Sequence, residues 1–375
     1  MQAALDLCRD LSTQLDEIGH HTLEGGVDCL AYSDEETRAM TVISKAAFEL
    51  GCRVFQDHAG NITAVLEGEN PDMKAILGGS HVDAVPQGGQ YDGRAGVLLE
   101  LGILKELHDR GERLPHDSVL QIFRAEESPR FGKALIGSYF ATGTALADDF
   151  ARQALFGEKQ NLKEAMRGQG MDIDALVDKV QNGVPLLPLS HIGAAIEMHI
   201  EQANVIRRNE ADLGIVTAIR GNTRIDITYR GEAGHTGGAA QFETDASGAL
   251  HDVRQEASRG IIAMAYLFEG KCNEIARSGR DIVFSVPEIR TPDSSFTKIC
   301  DHAAVRLEVR STDPTVLNEI AQFVNEESVQ IAQARNLYFD REKDKKVVIS
   351  SPVSRLSEDV IAALERNATS LGLKP

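Results

Sequence analysis

Three apolar runs in the first third of the chain restrict the fold more than any other feature. They cover 62–66, 75–78 and 118–123, and none of them alternates polar with apolar residues. Strands buried on both faces have this pattern, whereas strands with one wet face alternate. An amphipathic segment separates the last two runs, with Val97, Leu101 and Leu104 on one face and an end near Gly111. The sequence therefore predicts an α/β fold, a mixed sheet flanked by helices.

Further helices precede and follow these runs. Residues 1–18 carry apolar side chains at helical spacing among charged residues, which favours an amphipathic helix over a signal peptide. Ser33 and Glu36 predict a capping box ahead of a helix that ends at Gly51. The stretch 143–190 has a helical and charged pattern, and another apolar run follows at 192–200.

The pattern changes after Gly214. Segments 223–229 and 305–309 alternate polar and apolar residues, which predicts strands with one wet face. Amphipathic stretches at about 245–269 and 314–335 complete the order strand, helix, strand, strand, helix, strand. We predict a smaller α+β sandwich, a lid or dimerisation domain at 214–346, inserted into a catalytic domain formed by 1–213 and 347–375.

Charge and cysteine content exclude several classes of protein. The chain has 39 Lys and Arg against 57 Asp and Glu, a formal charge of −18. Without a basic patch, such a chain repels nucleic acid and anionic membranes. The five cysteines are scattered and lack CxxC spacing, which is typical of reduced thiols in a cytoplasmic protein.

Histidine and carboxylate residues stand at the ends of the predicted strands. They are His81 and Asp83, Asp92, the pair Glu126 and Glu127, and His199. Strand ends meet at one edge of an open α/β sheet, so these side chains are expected to converge. Imidazole and carboxylate donors without a thiolate suit Zn²⁺, Mn²⁺ or a similar ion.

The roles of these residues can be divided in part from their chemistry. Asp83 is placed to accept the second imidazole N–H of His81. A carboxylate can bridge two ions, and such a two-metal centre activates water and polarises a carbonyl. Of the adjacent Glu126 and Glu127, one would bind metal and the other would transfer a proton, and the spacing leaves open which does which.

A family resemblance lies in five segments: GGSHVDAVPQGGQYDGRAGVL, FRAEESPRFGKALIGS, EMHIEQ, GIVTAIRG and GEAGHTGG. They resemble the dinuclear-metal amidohydrolases of the M20 metallopeptidase superfamily. Within it they are similar to the branch that contains N-carbamoyl-L-amino acid hydrolase, allantoate amidohydrolase and β-ureidopropionase. His199, in EMHIEQ, separates this branch from the related peptidases.

The resemblance implies two divalent ions, Zn or Mn, in each subunit. His81, a bridging Asp92 and His199 would hold one ion, and Asp92 and Glu127 the other. Glu126 would be the general base that deprotonates the water and then protonates the leaving nitrogen.

The resemblance also implies residues that hold the substrate. His235 would reach the neighbouring subunit's site in a homodimer and stabilise the oxyanion. Gln202 and Arg310 match positions that hold the substrate, and a guanidinium pairs well with its carboxylate. From the residues alone, the preferred interpretation of Arg310 is an exposed strand residue beside Glu308.

The chain departs from the family pattern at two places. Where the family usually has Asn in an NxxPG stretch, this chain has Ser-Ser-Phe-Thr-Lys-Ile-Cys at 294–300, without an amide. The family's GxGHD motif, which carries a fifth metal ligand, is absent, so the second site would be incomplete here. We expect the sequence to stop short of that motif rather than to have lost it naturally.

The sequence thus predicts a hydrolase of linear amide C–N bonds in a small N-carbamoyl or N-acyl amino acid or ureido acid. One alternative is a dipeptidase or N-acyl-amino-acid deacylase of the same superfamily, which the missing Asn favours. Another is a metal-poor, inactive homologue that serves as a binding or dimerisation protein, which the missing ligand favours and the paired glutamates disfavour.

Overall fold

A computed structural model of the chain describes residues 1–19, 25–155, 158–292 and 295–375. They form two compact units, Met1–Val205 and Ile206–Pro375. No helix in these described ranges is both long and apolar enough to span a membrane.

The first unit contains six helices and five strands among its described residues. The helices are α1 (Gln2–Asp16), α2 (Asp34–Glu49), α3 (Arg94–Arg110), α4 (Ile136–Thr142), α5 (Leu162–Gly168) and α6 (Ile173–Gln181), and the strands are β1 (Arg53–Gln56), β2 (Ile62–Leu66), β3 (Ala75–His81), β4 (Ser118–Phe123) and β5 (Ile192–Ile196). The predicted runs at 62–66 and 118–123 are β2 and β4, and the run at 75–78 extends to His81.

These strands form one mixed sheet in the order β1-β2-β4-β3-β5. β3 pairs in parallel with β4 and β5, while β1, β2 and β4 pair antiparallel. Because β3, β4 and β5 run in the same direction, their carboxyl ends lie at one edge of the sheet.

Helices cover both faces of this sheet. Leu120 and Ile122 of β4 pack in a core cluster with residues of α1, α2 and α3. Val119, the residue before Leu120, packs in a second cluster with Ala141 of α4 and with Leu187. The predicted α/β class is therefore confirmed, and burial on both faces explains why these runs lack alternation.

Two predictions in this unit were wrong in detail. Ser33 Oγ accepts a hydrogen bond from Glu36 N at 3.2 Å, but the Glu36 carboxylate binds other donors, so only half of the capping box forms. The stretch predicted as helical at 143–190 contains only α5, α6 and the 3₁₀ turns Ala147–Ala151 and Leu189–His191 in its described part. Gly170, with φ of 83°, separates α5 from α6.

The second unit is built around a four-stranded antiparallel sheet. Its elements are α7 (Val205–Arg208, at the boundary), β6 (Ala218–Ile219), β7 (Gly221–Arg230), β8 (Phe242–Thr244), β9 (Leu250–Asp252), α8 (Ala257–Arg277), β10 (Val283–Arg290), β11 (His302–Ser311), α9 (Pro314–Ala334), β12 (Lys345–Ser351), β13 (Ser354–Arg355) and α10 (Glu358–Ser370). The sheet order is β10-β11-β7-β12. Alternate residues of β7, including Ile225, Ile227 and Tyr229, pack in one core with α8 and α9, as the alternation predicts.

The helix predicted to begin near 245 begins instead at Ala257. A hairpin of β8 and β9 precedes it. Asp245 Oδ1 accepts hydrogen bonds from Ser247 N at 2.8 Å and Ala249 N at 3.0 Å, and Gly248 has φ of 86°. Because the side chain satisfies these backbone donors in a turn, the segment does not form helix.

The domain boundary near 346 falls within β12, which pairs with β7. The compact second unit continues to Pro375 and includes the residues expected to return to the catalytic domain. Their assignment to that domain stays a prediction.

Candidate active site

The four predicted metal ligands lie at the ends of the parallel strands of the first unit or in the loops that follow them. His81 is the last residue of β3, and Asp92 lies just before α3. Glu127 follows β4 and His199 follows β5, each within a few residues of the strand end. Because these strand ends share one edge, residues far apart in sequence come together.

His81, Asp92 and His199 form a compact group of ligand atoms. One ligand atom from each lies within 4.8 Å of the other two, and among the described residues no other group does so. His199 Nε2 is 3.1 Å from Asp92 Oδ1, and His81 Nε2 is 3.9 Å from the same oxygen. Glu127 is not in this group.

Glu126 approaches the same ring nitrogen of His81 as Asp92 does. Its Oε2 is 3.9 Å from His81 Nε2, the nitrogen that also faces Asp92. The imidazole edge is therefore bordered by two carboxylates. Its opposite nitrogen, Nδ1, lies 3.0 Å from the backbone oxygen of Asp83 and 3.4 Å from Asp83 Oδ1.

Asp83 thus faces the Nδ1 of His81 with both its backbone carbonyl and its carboxylate. That carboxylate is fully buried and accepts hydrogen bonds from Glu126 N at 3.1 Å and Glu127 N at 2.9 Å. One residue therefore connects the imidazole after β3 to the glutamate pair after β4.

Burial and charge change the protonation of the site. Burial alone would lower the pKa of His81, but Asp83, Glu126 and Glu127 outweigh it and raise that pKa to about 10. Burial raises the pKa of Glu126, against the lowering effect of His81. Burial and then the charge of Glu126 raise the pKa of Glu127 to about 7.

This electrostatic pattern fits a bound cation. Several carboxylates surround His81, and they hold a proton on its ring because they favour positive charge. A divalent ion would supply that charge while binding neutral imidazole. The two imidazoles and one carboxylate of the group suit Zn²⁺ or Mn²⁺.

Gly93 leaves room for the His81 ring. It has φ of 65°, and a Cβ built at this position would lie 2.4 Å from His81 Nε2. Both the backbone conformation and the space therefore require glycine directly after Asp92.

Gln202 and Glu197 make contacts that the sequence did not predict. Gln202 Nε2 donates to Asp92 Oδ2 at 2.8 Å. Glu197 Oε1 accepts a hydrogen bond from Ser80 Oγ at 2.5 Å. The charge of Glu197 also helps to raise the pKa of Glu126, although burial, His81 and Asp83 have larger effects on it. The sequence did offer a signal for Glu197. It stands two residues before the predicted ligand His199 in EMHIEQ, so its carboxylate is expected near the same strand end.

His235 and Arg310 belong to the second unit. His235 is exposed after β7, and its Nδ1 accepts a hydrogen bond from Gly237 N at 3.2 Å. The Arg310 side chain is 49% exposed, and its guanidinium pairs with Glu308, which also accepts a hydrogen bond from Arg224. In the stretch 294–300, Ser294 lies outside the described residues, while Ser295 and Thr297 place their hydroxyl oxygens 3.3 Å apart.

Comparison with known proteins shows that this chain is similar to several amidohydrolases. The chain is 29% identical over 362 residues to an N-carbamoyl-L-amino acid amidohydrolase of Geobacillus stearothermophilus, covering 96% of this chain and 82% of that protein. It is 26% identical over 319 residues to the allantoate amidohydrolase of Escherichia coli (strain K12), covering 84% and 72%.

Solved structures with the same fold include two relatives at 25% identity. One is a crystal structure of AtUAH in complex with glyoxylate, with a TM-score of 0.81. The match covers 98% of this chain and 83% of the AtUAH chain. A hydantoinase/carbamoylase family amidase from Burkholderia ambifaria has a TM-score of 0.74, covering 99% and 83%. The model of peptidase family M20/M25/M40 matches residues 77–371, and this chain belongs to that family.

Proposed function

We propose that this hydrolase cleaves the linear amide C–N bond of a small N-carbamoyl or N-acyl amino acid or ureido acid. It acts on carbon–nitrogen bonds other than peptide bonds, as the names of its amidohydrolase relatives indicate. The observation that carries the proposal is the convergence of His81, Asp92 and His199 beside a pair of partly buried glutamates, Glu126 and Glu127.

Metal binding is the first part of the proposed chemistry. His81, Asp92 and His199 would hold one divalent ion, and Asp92 with Glu127 a second. When bound, such ions polarise a carbonyl and lower the pKa of water. Asp83 would keep the His81 ring in place, and Gln202 would fix the Asp92 carboxylate through its hydrogen bond.

Glu126 would carry the proton. It takes a proton from water as the water oxygen adds to the carbonyl carbon, and it delivers that proton to the nitrogen when the C–N bond breaks. The products are an amine and a carboxylic or carbamic acid. A raised pKa suits this task, because a base whose pKa lies nearer the working pH both accepts and returns a proton.

The second unit would supply substrate contacts. Arg310 would bind the substrate carboxylate, and His235 would stabilise the oxyanion in the site of a partner subunit. This part of the proposal requires a homodimer. Light scattering under assay conditions measures the oligomeric state, and a monomer would contradict the proposal. If the protein is a dimer, His235→Ala should lower kcat without dissociating it.

A substrate panel with one variant tests the reaction. Purified protein is loaded with Mn²⁺ or Zn²⁺ and assayed on N-carbamoyl, N-acetyl and N-arylacyl amino acids, ureidoglycolate, allantoate and dipeptides. Glu126→Gln should reduce kcat by about 10²- to 10⁴-fold on the preferred substrate. The control is Glu49→Gln, an exposed carboxylate on α2 that should leave kcat unchanged. Near-normal turnover of Glu126→Gln would refute the assignment.

A second candidate is an N-acyl-amino-acid deacylase or dipeptidase. It is favoured by the stretch 294–300, which offers hydroxyls but no amide where the family usually has Asn. Preference for N-acetyl or N-arylacyl substrates over N-carbamoyl ones in the same panel would select this candidate.

A further inference from the structure

The turn after β4, residues 124–127, is held by side chains from distant segments. Each of its four backbone N–H groups donates to a buried side-chain oxygen. The first donates to Asn61 Oδ1 at 2.9 Å and the second to Glu36 Oε1 at 2.8 Å. The third and fourth donate to Asp83 at 3.1 and 2.9 Å. The turn carries the proposed base and one proposed metal ligand.

The carbonyl groups of the same turn are bound as well. Those of residues 124, 125 and 126 accept from the N–H groups of Gly137, Ile136 and Leu135 at 2.9, 3.0 and 2.7 Å. Ala125 has φ of 53°, a conformation that side chains other than glycine rarely adopt. Such a conformation persists where the surroundings hold it, and it often marks a functional site.

Among the side chains that bind this turn, Glu36 accepts the most hydrogen bonds. It is 0% exposed, and its second oxygen accepts from Tyr32 N at 2.6 Å and from Arg124 Nε at 2.8 Å and Nη2 at 2.6 Å. With Ala125 N on the first oxygen, every one of these partners is an N–H donor. A carboxylate can accept them all, whereas an amide would direct its own donor at one of them.

Arg124 is enclosed between Glu36 and Tyr32. Its side chain is 1% exposed, with Cζ 4.8 Å from the centre of the Tyr32 ring. Tyr32 in turn donates from its hydroxyl to the Ala59 oxygen at 3.0 Å. The network therefore connects the start of α2 to the turn through fully buried, hydrogen-bonded side chains.

We propose that Glu36 is a positioning residue for the turn 124–127. By binding Ala125 N and the Arg124 guanidinium together, it sets the directions in which Glu126 and Glu127 leave the backbone. Glu36 is not among the residues that we propose to bind the substrate or the metal ions. This inference rests on the proposed function, in which those two glutamates carry the base and a metal ligand.

A control variant separates positioning from simple stability. Asp149 is another buried carboxylate of the first unit, 3% exposed, and it accepts from Lys133 Nζ at 2.5 Å and Arg152 Nε at 2.8 Å. Its hydrogen-bond partners lie outside the turn 124–127. Both Asp149→Asn and Glu36→Gln should therefore lower the melting temperature, but only Asp149→Asn should leave the site intact.

The experiment compares Glu36→Gln, Asp149→Asn and the unmodified chain in three measurements: the melting temperature, Mn²⁺ titration of the metal-free protein by calorimetry, and kcat and KM on the preferred substrate. We expect Glu36→Gln to weaken Mn²⁺ binding and to lower kcat about 10- to 100-fold, with KM little changed. Asp149→Asn should have the same Mn²⁺ affinity and the same kcat as the unmodified chain. Unmodified Mn²⁺ affinity and kcat in folded Glu36→Gln, or equal losses in both variants, would overturn the proposal.

Amide hydrogen exchange of the unmodified chain covers the case in which Glu36→Gln does not fold. The amides of 124–127 should exchange as slowly as those of β4, and fast exchange would refute the proposal. If the unmodified chain hydrolyses nothing in the panel, the proposed function fails, while Mn²⁺ titration and hydrogen exchange still decide the role of Glu36.

Discussion

Replacing Glu100 with glutamine should stabilise the first unit at neutral and alkaline pH. Glu100 lies on α3 against Gly78 of β3, where a Cβ built on that glycine would lie 2.0 Å from the carboxylate oxygen. Burial raises the pKa of Glu100 from 4.5 to about 7. Ionising it in the folded protein therefore costs more than ionising it in the unfolded chain.

The magnitude follows from linkage. A difference between 4.5 and about 7 corresponds to about 3 kcal/mol, at 1.36 kcal/mol for each pH unit. Because the folded pKa is raised, the carboxyl is neutral in both states below 4.5, and the destabilisation grows as pH rises towards 7. Above about 7 it is constant, because the carboxyl is then ionised in both states.

Urea unfolding of the unmodified chain and of Glu100→Gln, followed by far-UV circular dichroism at about pH 5 and about pH 8, measures the effect. The variant should be more stable by about 3 kcal/mol at the higher pH and by less than about 1 kcal/mol at the lower. Glu49→Gln, on exposed α2 surface, is the matched control and should show no such dependence. A Glu100→Gln variant that is less stable at the higher pH, or equally affected at both, would refute the reasoning.

Three further predictions concern the site. Asp83→Asn should weaken Mn²⁺ binding about 10- to 100-fold by calorimetry, because its amide would face Glu126 N or Glu127 N with a donor, and unchanged affinity would contradict this. Gly93→Ala should reduce kcat at least about 100-fold, because the new Cβ displaces the His81 ring, while Gly89→Ala, with open space around it, should have little effect. Removing divalent ions with EDTA should lower the melting temperature, since an ion at about 100 times its Kd stabilises by about 2.7 kcal/mol, and equal melting curves would argue against a built metal site.

The sequence predicts those elements whose pattern is local. Alternate residues of β7 are buried along nearly its whole length, and α9 occupies Pro314–Ala334 where the amphipathic stretch predicts it. Capping and turns are predicted less well, because one polar side chain can choose among several donors. Asp245 binds the backbone of a turn instead of supporting a helix start, and only the folded chain shows that choice.

The residues of the site likewise differ in how well the sequence predicts them. Metal-ligand chemistry and strand-end position predict His81, Asp92 and His199 as ligands, and the structure brings these three together. The role of Glu36 could not be predicted, because its partners Arg124 and Ala125 are 88 and 89 residues away in sequence. Its proximity to Ser33 pointed instead to a local cap.

The hydrogen bonds of the turn 124–127 have a consequence for trapping reaction complexes. The acceptors that fix its amide groups come from Asn61, Glu36 and Asp83, so the side chains of Glu126 and Glu127 are not needed to maintain its backbone. The side chains at these two positions can therefore be replaced without disturbing the backbone of the turn. Glu126→Gln should keep the shape of the site while slowing bond cleavage, which makes it the variant of choice for crystallising an uncleaved substrate in place.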